Sequence, residues 1–443
     1  MPDDLARRIE QTDPRLLLPP RSVAPDRLQL VDSWRLPASG PALIAALLQN
    51  AEDSWHFLPL LDDRFGLRRA RAGDGWAAAA VGAMSMGAAS GAERGGFAIR
   101  LAPGITSIDL PGVLSEKTVE ASPDCEVILL GDAVRVRLDL LPLETTGKPF
   151  DVNAHLLSSG FDALTPSYGD VVWEAANHWV APLLGIATPI DAMPLDEAFG
   201  RAAARHLRGG EDPEPTLELV RGLAQLLARL HTALAAPSAL LEGPLTHSSP
   251  EAAAAMARTA RDAVAEAVVL TDSDTQQHVR ARRHAMRDAF NALAGSAGSP
   301  LLPAAPFVTL QQAYLSQLSR SAYLLDPLQL TSASQPRTPV ADVASLLRSL
   351  NHVAHGAMRR LVGGGESVPV ERVATWVGAV REVMVDEYRQ TLEGLGQLAL
   401  FDERLLLGLE LEAECRALSY AARHLSTWSA VPDAGLLELL PPD

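Results

Sequence analysis

Beyond residue 190, apolar residues recur along most of the chain at the three- and four-residue spacing of amphipathic helices. Gly- and Pro-rich stretches interrupt this pattern, as at 295–300 and 363–365. A short block with no helical period, 307–330, also interrupts it. The pattern therefore predicts a large helical region, with helices at 217–234, 250–270, 274–293, 340–361, 370–395 and 405–427.

The first 110 residues have a different pattern, with Pro-rich connectors between short apolar runs. The run at 40–50 predicts a helix. Gly-punctuated apolar stretches around Trp76 and Phe97 predict strands. The uncharged run at 76–92 is too short and too weakly apolar for a membrane span. We expect a small β-rich module here.

Strand patterns continue into the next seventy residues. An apolar run at 125–130 leads into a Gly-Asp turn pair, and 134–138 then alternates apolar and charged residues, which is typical of a half-buried strand. A helix at 151–159 and a strand ending at Trp173 follow. The order of strand, turn, strand, helix and strand is typical of the small lobe of a kinase.

Net charge and cysteine content narrow the function classes. The 443 residues carry 38 basic and 54 acidic side chains, a net charge of −16, which argues against a nucleic-acid-binding protein. The basic run at 280–284 is flanked by acids and is interpreted as a solvated helix face. The two cysteines, Cys125 and Cys415, have no metal or disulfide pattern, and the N-terminus has no apolar signal core. We expect a cytoplasmic protein that binds neither nucleic acid nor membrane.

Five segments, in order along the chain, resemble segments of maltokinases and the related actinobacterial glucosamine kinases. The most specific is TPVADVASLLRSL at 338–350, and the others are 130–138, 155–173, 226–234 and 410–432. The resemblance implies an α+β, protein-kinase-like fold of the aminoglycoside phosphotransferase type. It divides the chain into an N-terminal cap (1–110), a small mixed lobe (111–183) and a large helical C-lobe (184–443).

The catalytic loop of these kinases usually has the form H-G-D-L-H-x-G-Q, and here that place reads LQQAYLSQ. The catalytic aspartate falls on Gln312, whose amide has no basic lone pair at neutral pH and cannot act as a general base. The two loop histidines fall on Leu310 and Tyr314. The resemblance thus implies a site without its catalytic base.

The nucleotide and metal positions are also altered. The ATP-contacting lysine falls on Arg137, with Asp151 as its helix partner, and an arginine fork does not reproduce an ammonium at a phosphate. A charged residue on an open strand face and an acid near a helix start explain this pair equally well. Gln317 and Asp326 match the ligands for magnesium, although Pro327 follows the acid and favours a turn role. Binding of Mg-ATP is therefore in doubt.

The segment 410–432 resembles the C-terminal helix of the family and its tryptophan-containing tail, and Glu412 and Trp428 in it are the candidate substrate-binding residues. Trp428 would stack on a sugar or close the edge of a core. Asp342 lies in the first turn of a predicted helix, where an acid stabilises the helix end. His352 and His355 are interpreted as residues of a polar helix face because no third metal ligand accompanies them.

Three hypotheses follow, and the sequence leaves open whether the protein is an enzyme. The first is a pseudokinase that recognises a sugar, a nucleotide or a protein partner. The second is a divergent ATP-dependent kinase of maltose, glucosamine or a similar sugar, with Asp342 or Glu412 as a substitute base. The third is an interaction protein whose clefts are filled by side chains.

Overall fold

The computed structural model describes the chain except for residues 1, 20–24, 26, 87–95, 103–104, 107, 109–113, 123, 143, 146–151, 176–177, 181–182, 210–213, 242, 303–307, 317–322, 327–335 and 441–443. The chain forms two compact units. The first comprises Met1–Ala154 and Thr165–Ile190, and the second comprises His155–Leu164 and Asp191–Asp443. We call the second one the helical unit.

The first unit begins with two short helices and an antiparallel sheet. The helices are α1 (Pro2–Gln11) and α2 (Pro14–Leu17). Neighbouring strands of the sheet are also consecutive in sequence, and they are β1 (Leu28–Leu36), β2 (Ala42–Asn50), β3 (Trp55–Asp63) and β4 (Gly66–Arg69). The region predicted as a small β-rich module is therefore β-rich.

The rest of the first unit consists of a helix, α3 (Trp76–Ser85), and a second sheet. The described strands of this sheet are β5 (Gly96–Leu101), β6 (Glu116–Ala121), β7 (Cys125–Leu130), β8 (Val134–Asp139), β9 (Glu144–Thr145), β10 (Ser167–Ala175), β11 (His178–Val180) and β12 (Leu184–Ala187). They lie in the order β6-β7-β8-β12-β10-β11-β9, and β5 pairs with β10. Helix α4 (Val152–Ser158) spans the division between the two units.

One hydrophobic core joins both sheets of the first unit. It contains Trp34 and Phe57 from the first sheet, Trp76 from α3, and Val136 and Leu138 from the second sheet. The apolar side chains of β8 face this core, which confirms the predicted strand, but the opposite face of β8 is also largely buried, so the strand is not half-buried as predicted. The core buries one face of each sheet against the other.

Two predictions for the first unit were wrong. Residues 40–50 form β2 instead of a helix, because β2 is a central strand with both faces buried. Its Ala45 and Leu47 face the shared core, while Ile44 and Leu48 pack in a second core that includes residues of α1 and α2. Such a strand is apolar throughout and has no period of two. The stretch after Trp76 forms helix α3, in agreement with the high helix propensity of its alanines.

The helical unit contains the remaining described strands and α-helices. They are β13 (Ala192–Pro194), α5 (Leu195–Arg208), α6 (Glu214–Ala235), β14 (Thr246–His247), α7 (Pro250–Leu270), α8 (Ser273–Ala281), α9 (Arg283–Ala294), β15 (Pro300–Leu301), β16 (Ala313–Ser316), β17 (Tyr323–Leu325), α10 (Val340–Gly363), α11 (Val370–Gly394), α12 (Leu406–His424) and α13 (Ala430–Leu439). The predicted helices are confirmed, except that 274–293 is divided at Arg282 into α8 and α9. Helices α5 and α13 were not predicted.

Helix α10 is central to the helical unit. It contacts α5, α11, α12 and α13, while α6 packs on α11 and α7 packs on α12. Strands β13, β16 and β17 form a small antiparallel sheet beside α5. None of the described helices combines the length and apolar character needed to cross a lipid bilayer.

Candidate functional site

The loop at the predicted catalytic position is closed by its own hydrogen bonds. It forms a 3-10 turn, Leu310–Gln312, followed by β16. The side-chain oxygen of Gln312 accepts a hydrogen bond from the backbone N–H of Thr309 at 2.8 Å, and its backbone oxygen accepts one from Asp326 at 2.9 Å. Leu310 is buried at a histidine position of the family loop. Gln312 thus caps a turn.

A buried network anchors the start of this loop. One carboxylate oxygen of Asp342 accepts a hydrogen bond from the N–H of Val308 at 3.3 Å, and the other lies 3.1 Å from Nε2 of His231. Nδ1 of His231 lies 2.7 Å from the hydroxyl of Tyr388. His231, Asp342 and Tyr388 are each at most 1% exposed. Both oxygens of Asp342 are therefore engaged inside the protein, which is a structural use and not that of a base in contact with a ligand.

The protonation of this network follows from its geometry. Burial raises the pKa of Tyr388 well above its usual value, and the charge of Asp342 adds to the effect. The tyrosine therefore keeps its proton and donates it to Nδ1 of His231, so that Nε2–H of the same ring donates to Asp342. Each polar atom has a partner, as a buried network requires.

Arg137, at the lysine position, forms an ion pair on its own strand. Its Nε donates to a carboxylate oxygen of Asp139 at 3.0 Å, and both side chains are largely buried. Burial disfavours the charged guanidinium, but Asp139 outweighs this effect and holds the pKa of Arg137 above its usual value. The expected partner Asp151 lies outside the described residues. The charge of Arg137 is thus already compensated.

The predicted magnesium site is only partly described. Asp326 is 2% exposed, and Gln317, its predicted co-ligand, lies outside the described residues. No group of three or more His, Cys, Asp or Glu side chains in the described part of the chain is arranged to hold a metal ion. Magnesium prefers several oxygen ligands in octahedral geometry. We therefore assign no step to a metal.

A cavity of about 610 Å³ lies inside the helical unit, beside the closed loop. We call it the α10 cavity because α10 supplies the largest part of its wall. Its described lining residues are Asp196, Gly200, Thr309, Leu310, Gln311, Arg348, Ser349, His352, Val353, Gly356, Arg360, Arg416, Ala417, Tyr420 and Trp428. This volume is typical of small-molecule sites.

The aromatic wall of the α10 cavity contains Tyr420 and Trp428, and sugar stacking by Trp428 stays a prediction. Trp428 is 37% exposed, and its ring packs edge-on against His352 with centroids 5.1 Å apart. Nε2 of His352 lies 2.7 Å from the buried carboxylate of Glu414, which fixes the imidazole. The aromatic face is therefore held in place and is open on one side.

Glu412, the other predicted substrate residue, is not among the described lining residues. Its carboxylate accepts a hydrogen bond from Nε of Arg416 at 2.9 Å, and Arg416 does line the cavity. Glu412 therefore neighbours the site and neutralises one of its arginines.

The sequence did not lead us to group four of the lining residues into one site. Arg348, His352, Gly356 and Arg360 follow one another at intervals of four along α10, so they lie on one face of that helix. The four-residue spacing of two arginines, a histidine and a glycine is the sequence pattern that could have identified this group.

Two known proteins are similar to this chain over most of its length. No protein-family model matches the chain. The glucosamine kinase of Streptacidiphilus jiangxiensis is 27% identical over 411 residues, which cover 91% of this chain and 90% of that protein. The glucosamine kinase of Mycolicibacterium smegmatis is 27% identical over 443 residues, covering 94% and 98%.

Solved structures of glucosamine kinase show the same likeness. One, in complex with glucosamine, ADP and inorganic phosphate, has a TM-score of 0.70 at 25% identity and covers all of both chains. Another crystal form has a TM-score of 0.75 at 25% identity and covers 99% of each chain. The protein therefore has a kinase-like α+β fold. Over nearly its whole length it is similar to glucosamine kinases, as the segment resemblance predicted.

Proposed function

We propose that this protein is a pseudokinase that binds a sugar in the α10 cavity and does not transfer phosphate to it. The observation that carries the proposal is the role of Gln312, whose side chain caps the turn Leu310–Gln312 at the place of a catalytic aspartate. An amide offers no base for the proton of a sugar hydroxyl. The protein thus binds its ligand without transferring a phosphoryl group to it.

Sugar binding is supported by the composition of the cavity wall. A partly exposed tryptophan offers an apolar face for the C–H surface of a pyranose ring, and its own ring is fixed against His352. Arg348, Ser349 and Tyr420 supply hydrogen-bonding groups around the same space. The related glucosamine kinase whose structure contains glucosamine is consistent with a sugar ligand.

Loss of phosphoryl transfer is supported by a further position. Transfer depends on positioning and on neutralising phosphate charge. Arg137 forms an ion pair with Asp139, so its charge is already compensated within the protein. A missing base together with a compensated cation is typical of a protein that no longer performs the reaction.

The second candidate is a divergent ATP-dependent sugar kinase, and the 27% identity to two glucosamine kinases over more than 90% of this chain favours it. It would use Mg-ATP and would need a substitute base. Asp342 is buried and engaged, and Glu412 is not among the described lining residues. Asp196 is the acid among the described lining residues, so it is the base that this candidate requires.

Isothermal titration calorimetry with a panel of mono- and disaccharides tests sugar binding. We expect Trp428→Ala to weaken binding by about tenfold or more, as loss of an aromatic stacking surface does. Phe65→Ala is the matched control, because Phe65 is an aromatic residue of the first unit that is 82% exposed. Equal effects of both substitutions, or no binding of any sugar, would refute the proposed site.

A further inference from the structure

The α10 cavity has an unusual charge for a chain of net charge −16. Its described lining includes three arginines and one histidine but a single acid, Asp196. Arg416 pairs with Glu412, and Nε2 of His352 lies against the carboxylate of Glu414. The charges that remain for a ligand are those of Arg348 and Arg360.

Arg360 lies at a place kept open by glycines. A Cβ at Gly200 on α5 or at Gly356 on α10 would each lie 3.6 Å from a guanidinium nitrogen of Arg360. The guanidinium therefore lies against backbone that carries no side chain. Residues larger than glycine at these two positions would occupy the space around it. In the described part of the chain Arg360 has no ion-pair partner, and it is exposed. Its charge is open to a ligand in the cavity.

Arg348 lies three helical turns earlier on the same face. Its Nε–H is buried and, within the described residues, has no hydrogen-bond acceptor. Burial lowers the pKa of Arg348, although Glu414 opposes this, and an arginine remains charged at neutral pH all the same. A buried cation with an unused donor is costly unless an anion binds it.

We propose that the sugar bound in the α10 cavity carries an anionic group, a carboxylate or a phosphate, which Arg348 and Arg360 bind. This inference rests on the proposed sugar-binding function and narrows its ligand class. The planar guanidinium fork matches both carboxylate and phosphate oxygens. An amino sugar would place its ammonium group in a cavity where cations outnumber acids, so the preferred ligand differs from the glucosamine found in the related structure.

Calorimetric titration of the full-length protein with four probes tests the inference. The probes are D-glucuronate, D-glucose 6-phosphate, D-glucose and D-glucosamine, in a buffer without phosphate. We expect at least one anionic probe to bind about tenfold more tightly than D-glucose, since a charge-assisted hydrogen bond contributes that much. Which of the two anions binds more tightly distinguishes a sugar acid from a sugar phosphate.

Charge variants give the second readout. We expect Arg360→Gln to weaken binding of the anion by about tenfold and binding of D-glucose by a smaller factor, so that most of the preference for the anion is lost. Arg258→Gln on α7 is the matched control, because Arg258 is exposed and is not among the described lining residues of the cavity. Raising the salt concentration should weaken binding of the anion and leave that of D-glucose unchanged.

The outcomes separate this inference from the function on which it rests. Binding of D-glucose or D-glucosamine as tight as that of both anions would overturn the anionic ligand and leave sugar binding intact. An anion preference that survives Arg360→Gln would overturn the assigned residues. Absence of binding for all four probes would overturn both the inference and the proposed function.

Discussion

His231 and Asp342, 111 residues apart in sequence, meet in the core of the helical unit, where Nε2 of His231 lies 3.1 Å from a carboxylate oxygen of Asp342. The other oxygen of Asp342 accepts the N–H of Val308, two residues before the 3-10 turn Leu310–Gln312. Asp342 therefore anchors the backbone at the start of the loop. The acid in the segment 338–350 thus has a structural role in the helical unit.

Asp342→Asn should destabilise the protein strongly. The substitution removes the charge and one acceptor oxygen from a buried network, which costs about 3 kcal/mol in the free energy of unfolding. Urea denaturation followed by circular dichroism measures it. Asp433→Asn is the control, because Asp433 pairs with a His278 side chain that is 38% exposed, and it should cost less than about 1 kcal/mol. Equal losses would show that the network does not anchor the unit.

Gln312→Asp should not create kinase activity. The variant restores the acid at the base position, but Arg137 remains paired with Asp139 and Pro327 still follows Asp326. Transfer of radiolabelled phosphate from ATP to a panel of sugars measures the outcome. Gln312→Ala serves as the control for loss of the Thr309 contact. Sugar phosphorylation by the aspartate variant alone would show that the site has decayed less than we propose.

Gly356→Leu should abolish sugar binding without unfolding the protein. Gly356 lines the α10 cavity, and a leucine there would project into the space that the ligand needs. Leucine has a higher helix propensity than glycine by about 0.5–1 kcal/mol, so α10 should not be weakened. Gly363→Leu, at the end of the same helix, is the control because a Cβ there meets no atom within 4 Å. Normal sugar affinity in the Gly356 variant would place the ligand elsewhere.

The two thiols should be unreactive in the folded protein. Cys125 and Cys415 are at most 4% exposed, and burial raises their pKa to about 11 and about 12. At pH 8 each is therefore almost wholly protonated, and the thiolate is the reactive form. Titration with Ellman's reagent should give no fast reaction in buffer and two thiols in denaturant. Fast reaction of either cysteine in the folded state would contradict its burial.

Helices were the more predictable part of this fold. The helical period is explicit in α6, α7, α10 and α11, which each bury one face. The prediction at β2 was wrong because a strand that is buried on both faces does not alternate between apolar and polar residues. Helix α5 could have been found, because it has acids in its first turn, bases in its last and Gly209 just after it.

Only single residues of the candidate site could be singled out from the sequence. The segment resemblance predicted that Gln312 and Arg137 stand at the positions of the catalytic aspartate and the lysine. Their hydrogen-bond partners, Thr309 and Asp139, could be identified only from the structure. The wall of the α10 cavity is assembled from α5, α10, α12 and two loops, and no local pattern reports which side chains share a space.

One experiment tests the central claim most directly. The full-length protein, at a concentration equal to that of the sugar, is incubated with Mg-ATP and each sugar that binds by calorimetry, and the products are identified by mass spectrometry. Our account predicts that the sugar is bound and recovered unchanged, with no phosphorylated product beyond a protein-free control. Stoichiometric formation of a sugar phosphate, lost in Asp196→Asn, would contradict it and establish the divergent kinase instead.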